Sequence, residues 1–188
     1  MTFAEIKQLA LRQLDMDPAD MDEADDLLSA YVNEGYRTAL LDYARPRDVF
    51  ILATDKDGNA GMDALGIRSI IEVTDAESGM SAWATQDALG QTLHTAVRNG
   101  KVRVVALVVY PEMEEGDDTP RIPYWAHGAL ADYACFRFLS NGNMAKQSRA
   151  QFYYGRFMTQ MERIRPQGMG SVTGLKNLYE ATDIRRTR

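Results

Sequence analysis

The stretch "EEGDDTPRIPYWAHGALADYACFRFL", Glu114–Leu139, organises the whole chain. It begins as a run of acidic residues, passes through a Pro-x-x-Pro step and continues as a segment that is apolar on almost every side. A helix that is apolar all round is buried in the interior of a protein. We therefore expect a central buried helix from about Tyr124 to Leu139, preceded by a mobile acidic hinge.

Segments with helical spacing lie on both sides of this stretch. Thr2 and Glu5 have the spacing of a capping box, which predicts a first helix that ends near Asp15. The second helix carries Gly35 in its apolar stripe, at a cost of about 1 kcal/mol relative to alanine. This cost predicts close packing of Gly35 against another element. A last long helix is predicted to run to about Arg165.

Between the second helix and the quoted stretch, the pattern changes to short strands and turns. Three runs rich in β-branched residues predict strands at Val49–Ala53, Ile67–Thr74 and Lys101–Tyr110. The sequence "RNGK" (Arg98–Lys101) is an Asn-Gly hairpin signal, which predicts that Gln91–Val97 pairs with Lys101–Tyr110. The middle of the chain is therefore expected to be one small, mostly antiparallel β unit.

Together these segments predict an α+β protein. We expect a four-helix bundle of two N-terminal and two C-terminal helices, with an inserted small antiparallel β unit and a flexible C-terminal arm. The expected boundaries are 1–45 for the N-terminal helical pair, 46–111 for the inserted β unit, 112–165 for the C-terminal helical pair and 166–188 for the arm. The arm opens with three glycines in seven residues, a composition typical of a segment that orders only on a partner.

Composition and charge limit the classes of protein to which this chain can belong. A chain of 188 residues with 45% hydrophobic residues is sufficient for a core. The net charge of −6 disfavours a protein that grips nucleic-acid phosphates. The longest apolar run, Val104–Tyr110, is too short to span a bilayer, and the single Cys135 is typical of a buried thiol in a reducing compartment. We expect a soluble intracellular protein that does not engage membranes.

Side chains that carry catalysis are sparse in this sequence. His94 and His127 are far apart, and neither has a further ligand at metal-binding spacing. The loop "DKDGNAG" resembles part of a calcium site, but Ala60 stands where that site requires glycine and Gly66 stands where it requires glutamate. We therefore expect no catalytic residues, no metal ligands and no cofactor. The alternative is a small metal-dependent enzyme that uses this loop and the acidic linker.

The charges divide between the two ends of the chain. Residues 1–30 contain eight acidic residues against two basic ones, whereas residues 184–188 contain three arginines. This division favours a protein that joins unlike partners. The aromatic cluster of the last helix also exceeds one helical stripe, so that part of it faces another element or another subunit. The candidates for a subunit interface are Phe152, Tyr153, Arg45 and Arg47.

Several soft motifs occur in a fixed order along the chain. The second helix carries "YVNEGYRTAL" (Tyr31–Leu40), the β insert ends in "YPEM" (Tyr110–Met113), and an acidic linker leads into "IPYWAHGALADYA" (Ile122–Ala134) and a last long helix. Over about residues 2–165 this order resembles the head-to-tail adaptor proteins of tailed bacteriophages, also called head-completion or connector proteins. Many relatives carry a tryptophan just before the β region, where this chain has Arg45-Pro46-Arg47.

The resemblance implies a structural virion protein of the head–tail junction, assembled in the host cytoplasm. It implies a ring of identical subunits, normally twelve, that docks on the portal protein and presents a surface to the next tail component, a tail or stopper protein. Genomic DNA would pass through the ring without specific binding. The portal-binding arm would use Leu175, Leu178, Tyr179, Ile184, Arg185, Arg186 and Arg188. The alternative within the same assembly is a stopper or tail-completion protein that binds the adaptor.

Overall fold

The computed structural model describes residues 1–16, 21–62, 66–140 and 142–164. The α-helices in this part are α1 (Phe3–Leu14), α2 (Met21–Thr38), α3 (His127–Leu139) and α4 (Met144–Ile164). The strands are β1 (Arg47–Ala53), β2 (Asn59–Gly61), β3 (Ile67–Asp75), β4 (Ala84–Gln86), β5 (Thr92–Thr95) and β6 (Lys101–Val108). A π-helical turn (Ala39–Ala44) continues α2, and a 3-10 turn (Tyr124–Ala126) leads into α3.

The capping box predicted at the start of α1 is confirmed. The Glu5 backbone N–H donates to the Thr2 hydroxyl at 3.3 Å, and the Thr2 backbone N–H donates to the Glu5 carboxylate at 2.9 Å. At the other end, Asp15 adopts a left-handed conformation with φ 58°, which terminates the helix. Local sequence alone therefore fixes both ends of α1.

Helix α3 is the centre of the helical region, as its apolar composition predicts. It packs against α1, α2 and α4, while α4 also contacts the π-helical turn. The predicted close approach at Gly35 is confirmed, because a Cβ atom there would lie 2.9 Å from the Tyr133 side chain of α3. The helices are thus arranged around α3, which differs from the predicted bundle of two equivalent pairs.

The strands form two antiparallel three-stranded sheets, with the orders β1-β6-β3 and β2-β5-β4. The prediction of a four-helix bundle with a single small β unit is therefore wrong, and the protein is an α+β structure with two sheets. The reason lies in β6, which pairs with β1 on one edge and with β3 on the other. Neither edge of β6 remains free to pair with β5.

The predicted hairpin at the Asn-Gly signal is also wrong. The turn itself is present, since Asn99 has a positive φ of 50° and its N–H donates to the Asp55 carbonyl at 2.9 Å. However, the strands on its two sides diverge, because β5 pairs with β2 and β4 whereas β6 pairs with β1 and β3. The turn therefore connects the two sheets and does not close a hairpin.

The acidic linker before α3 is fixed to the helical region, which contradicts the expected mobile hinge. Asn33 of α2 donates its side-chain N–H to the Met113 carbonyl at 2.9 Å and accepts the Met113 N–H at 3.0 Å. Farther along, the Asp118 and Gly116 carbonyls accept the backbone N–H groups of Phe3 and Ala4 at 2.7 and 3.0 Å. Asn33 and Met113 are both buried, so the linker forms part of the helical core.

Candidate functional site

The first candidate surface is the outer face of the sheet β1-β6-β3, which we call the outer sheet face. On β1 it presents Val49 and Ile51, the latter 67% exposed, and on β6 it presents the half-buried Val105 opposite Val49. Ile71, at a register shift in β3, adds another exposed apolar side chain. The opposite face carries Val102, Val104 and Ala106 and is packed in the β core. One face of this sheet is thus buried. The other is uncovered and mixed in character, because the exposed Val49 and Ile51 share it with four exposed charged residues: Arg47, Glu72, Lys101 and Arg103.

The two edges of the same sheet differ in the described part of the chain. β1 and β3 each pair with β6, and each lies at an end of the strand order. The C-terminal half of β3 is covered by residues 80–82, since the Ala82 N–H donates to the Val73 carbonyl and the Asp75 N–H donates to the Met80 carbonyl, both at 2.9 Å. An edge strand without such a cover is a template for pairing with another chain, and proteins usually protect it with charge, proline or bulges. β3 has bulges, and β1 follows Pro46 and begins with two exposed charged residues, so the uncharged part of the β1 edge is residues 49–53.

The second candidate surface is a groove between α3 and α4, which we call the α3–α4 groove. It has a volume of about 610 Å³ and lies among small residues, with two aromatic side chains among its lining residues. The aromatic residues are Trp125 and Phe152, which are 52% and 62% exposed. Gly155 of α4 keeps the groove open, since a Cβ atom there would meet nothing within 4 Å.

Asp132 is a buried acidic residue that lines this groove. It is 2% exposed, and its Oδ2 atom lies 3.3 Å from Nε of Arg156. Within the described residues no donor meets its Oδ1 atom at full hydrogen-bond geometry, and the neighbouring Gln13 side chain compensates its charge only in part. Burial raises the pKa of the Asp132 carboxyl to about 6, and the charge of Arg156 and a contact with Gln13 oppose that rise only in part. The groove therefore contains a carboxylate that is only half satisfied.

The structure separates the four predicted interface residues. Phe152 is exposed at the groove, whereas Tyr153 is buried and donates its hydroxyl to the Gln13 carbonyl at 2.7 Å. Arg45 is exposed at the end of the π-helical turn, with a left-handed φ of 44°. Arg47 is exposed at the start of β1, opposite Leu107 of β6. Phe152 and Arg47 thus lie on the two candidate surfaces, and Tyr153 is used inside the fold.

The predicted portal-binding arm lies outside the described residues. This applies to the whole segment 166–188 and to each of its named candidates: Leu175, Leu178, Tyr179, Ile184, Arg185, Arg186 and Arg188.

The loop that resembles part of a calcium site is closed by its own hydrogen bonds. The Asp55 carboxylate accepts the backbone N–H groups of Asp57 and Asn59, both at 2.8 Å, and these bonds hold its pKa below the usual range. Across residues 1–16, 21–62, 66–140 and 142–164, no group of three or more His, Cys, Asp or Glu side chains is placed to hold a metal ion.

The two predicted isolated histidines and the cysteine have structural partners. The ring nitrogens Nδ1 and Nε2 of His127 lie 3.0 Å from the Met1 and Ile122 carbonyl oxygens, each of which accepts when the nitrogen beside it carries a proton, and His127 is 2% exposed. His94 lies 2.7 Å from the Asn59 side-chain oxygen. Burial, and to a lesser extent the nearby Asp132 carboxylate, raise the pKa of the Cys135 thiol to about 12. The thiol is therefore protonated at neutral pH and a poor nucleophile.

Sequence reasoning missed two functional features of these surfaces. Asp132 is the only acid within the apolar segment that the sequence predicted to be buried, and that contrast was a usable signal. The exposure of Val49 and Ile51 had no such signal, because a short apolar run reads as a buried strand.

Comparison with known proteins adds no assignment. No protein-family model matches the sequence, and no curated protein is significantly similar to it. Among the helices that the structure describes, none is both long enough and apolar enough to cross a membrane.

Proposed function

We propose that this chain is the subunit of a ring-shaped head-to-tail adaptor in a tailed bacteriophage. The observation that carries the proposal is the edge strand β1, which has no second strand partner in the described chain and exposes Val49 and Ile51 on the outer sheet face. Exposed apolar side chains on a free edge strand are a hazard for a monomer but suit a subunit that is completed by copies of itself. The order of motifs along the chain supports the same assignment.

A head-to-tail contact between the two edges would generate such a ring. In this arrangement the edge of β1 in one copy lies beside residues 67–72 of β3 in the next copy, the part of β3 that is not paired with residues 80–82. The contact joins two different surfaces, and repeated contacts of this kind close into a ring when the rotation permits. Backbone hydrogen bonds between the two edges supply the stabilisation, and Val49 and Ile51 gain cross-strand neighbours on the extended sheet.

The remaining roles follow from charge. The segment 166–188, with Arg185, Arg186 and Arg188 near its end, would dock on carboxylates of the portal protein, since guanidinium groups make bidentate contacts with carboxylates. The net charge of −6 would let DNA pass through the ring without adhering, because like charges repel. The opposite rim of the ring would receive the tail or stopper protein.

The test is electron microscopy of the full chain mixed with the portal protein. We expect rings docked on the portal, and we expect Ile51→Lys to abolish them, because a lysine on an edge strand opposes pairing with another chain. Leu89→Lys is the matched control. Leu89 is 80% exposed outside the outer sheet face, so its replacement should leave the rings intact. Rings that persist in Ile51→Lys would exclude the proposed contact.

Single-cysteine variants test which edges meet. Ile51→Cys and Ser69→Cys place thiols on β1 and β3, and the native Cys135 does not interfere because it is buried. A short bismaleimide reagent should link a mixture of the two variants and should link neither variant to itself. Linkage of Ile51→Cys to itself would indicate a two-fold dimer and contradict the ring.

A pull-down experiment separates the adaptor from the stopper alternative. The full chain should bind isolated portal protein, and removal of residues 166–188 should abolish that binding. Binding to an assembled adaptor ring but not to the portal would assign the chain to the stopper or tail-completion proteins.

A further inference from the structure

The α3–α4 groove combines exposed aromatic side chains with a buried carboxylate whose hydrogen bonding is incomplete. Trp125 and Phe152 leave large apolar surfaces in solvent at the groove, and Asp132 carries a carboxylate oxygen that no donor among the described residues meets at full hydrogen-bond geometry. A buried acceptor without a partner is destabilising unless something donates to it. The groove therefore fits a ligand with apolar side chains and a strong hydrogen-bond donor.

We propose that the α3–α4 groove binds the C-terminal segment of the same chain, residues 175–188. In this arrangement the apolar residues Leu175, Leu178 and Tyr179 cover Trp125 and Phe152. One of the three arginines near the end of the chain then donates to the Oδ1 atom of Asp132. This inference goes beyond the adaptor proposal and does not depend on it.

The sequence of the segment matches the groove. Leu175, Leu178 and Tyr179 have the i, i+3, i+4 spacing by which an amphipathic helix places anchors in an apolar groove. A guanidinium group carries five N–H donors and pairs well with a carboxylate, including one that already has a partner. Arg156 holds the other oxygen of Asp132 over a long contact of 3.3 Å, so the carboxylate would bridge two arginines.

The connecting chain is long enough. Helix α4 ends at Ile164, and its groove-lining residues from Phe152 to Gln160 lie within about 18 Å of that end, at a rise of 1.5 Å per residue. Residues 165–174 can extend over roughly 33 Å. They contain Gly168, Gly170 and Gly174, which permit a reversal of the chain.

Effective concentration favours binding of the C-terminal segment from the same molecule over binding of the segment from a second copy. A linker as short as residues 165–174 holds the segment near the groove at a concentration on the order of millimolar. A segment from another molecule would match this only at a comparable protein concentration. At micromolar protein the intramolecular arrangement therefore dominates.

Energy transfer from Trp125 to the C-terminus tests the proposal on the full chain. Trp83→Phe leaves Trp125 as the donor, since the chain contains two tryptophans. Thr187→Cys carries a naphthalene-sulfonate acceptor, and the buried Cys135 stays unlabelled. We expect efficient transfer that does not change on dilution. Absence of transfer would overturn the proposal, and transfer that falls on dilution would assign the segment to a neighbouring copy instead.

Matched variants connect the transfer to the groove. Gly155→Leu places a bulky side chain at a position where a Cβ atom would meet nothing within 4 Å, so it should occupy the groove and abolish transfer. Phe152→Ala should weaken docking roughly fivefold or more, as expected for an aromatic anchor. Tyr124→Ala is the control, because Tyr124 is 73% exposed but does not line the groove. Unchanged transfer in Gly155→Leu would exclude the groove as the binding site, whatever the outcome with the portal protein.

Discussion

The helical and β regions of this protein differ in how completely they bury their apolar residues. The helical region encloses a core of aromatic and long aliphatic side chains around α3, including Phe157, Leu130 and Met161. The β region has a small core dominated by valine and alanine, including Val102, Val104 and Ala106. At the same time it leaves Val49 and Ile51 in solvent on its outer sheet face.

This difference indicates that the helical region mainly stabilises the fold, whereas the β region is available for association. Hydrophobic stabilisation scales with the apolar area removed from water, so the helical region contributes most of the folding free energy of the isolated chain. The β region retains apolar area that only another molecule can bury. We therefore expect mutations in the helical core to unfold the protein and mutations on the outer sheet face to affect assembly.

The largest expected effect is in the helical core. Phe157→Ala should lower the free energy of unfolding by about 3–5 kcal/mol, because it removes a fully buried ring from a well-packed site. Urea denaturation followed by circular dichroism measures the change. The control is Met144→Ala in the same helix, where the replaced side chain is 84% exposed, and this variant should stay within about 0.5 kcal/mol of the original chain. Equal costs at both positions would remove the distinction between core and surface.

The next effect depends on pH and tests the buried charge of the helical region. The pKa of Asp132 is raised to about 6 in the folded state, so the folded chain holds a proton that the unfolded chain releases above about pH 4. Its contribution to stability should therefore fall as the pH rises from about 4 to about 6, by roughly 2–3 kcal/mol.

Asp132→Asn removes this dependence, because asparagine does not titrate. Urea denaturation of both chains between pH 4 and 7 should show the aspartate form losing stability relative to the asparagine form. A difference that stays constant across this range would show that Asp132 is not desolvated as the structure indicates.

The third prediction concerns the linker between the two regions. Asn33→Ala should cost about 2–3 kcal/mol, because it leaves the buried N–H and carbonyl of Met113 without their partners. Amide hydrogen exchange should also accelerate at Met113. If exchange there is unchanged, the linker is fixed by its contacts with α1 and not by Asn33.

The smallest effects come from two helical glycines with opposite surroundings. Gly35→Ala should destabilise the fold by about 1–3 kcal/mol, since its Cβ would lie 2.9 Å from Tyr133. Gly155→Ala should stabilise it by up to about 1 kcal/mol, because the new methyl group meets open space and alanine favours a helix. Thermal denaturation of both variants should show shifts of opposite sign. Stabilisation of both variants would mean that helix propensity outweighs packing at Gly35, and destabilisation of both would mean that Gly155 does not face open space.

The sequence by itself determined the local features of the helical region. Three such features are the capping box at Thr2, the buried character of α3 and the close approach at Gly35. Each depends on neighbouring residues or on the helical repeat of 3.6 residues, so its signal lies within a single segment of the sequence. The position of the Asn99 turn was predicted for the same reason.

Only the tertiary structure decided which strands pair and which apolar faces remain uncovered. Strand pairing joins residues that are distant in the chain, and both β5 and β6 present patterns that fit several partners. Likewise, the sequence alone suggests that Val49 and Ile51 are core residues. In the structure β1 pairs with β6, and no other layer of the described chain covers the face of the sheet that carries these two side chains. The incomplete hydrogen bonding of Asp132 also depends on the distance between α3 and α4, which the sequence of neither helix determines alone.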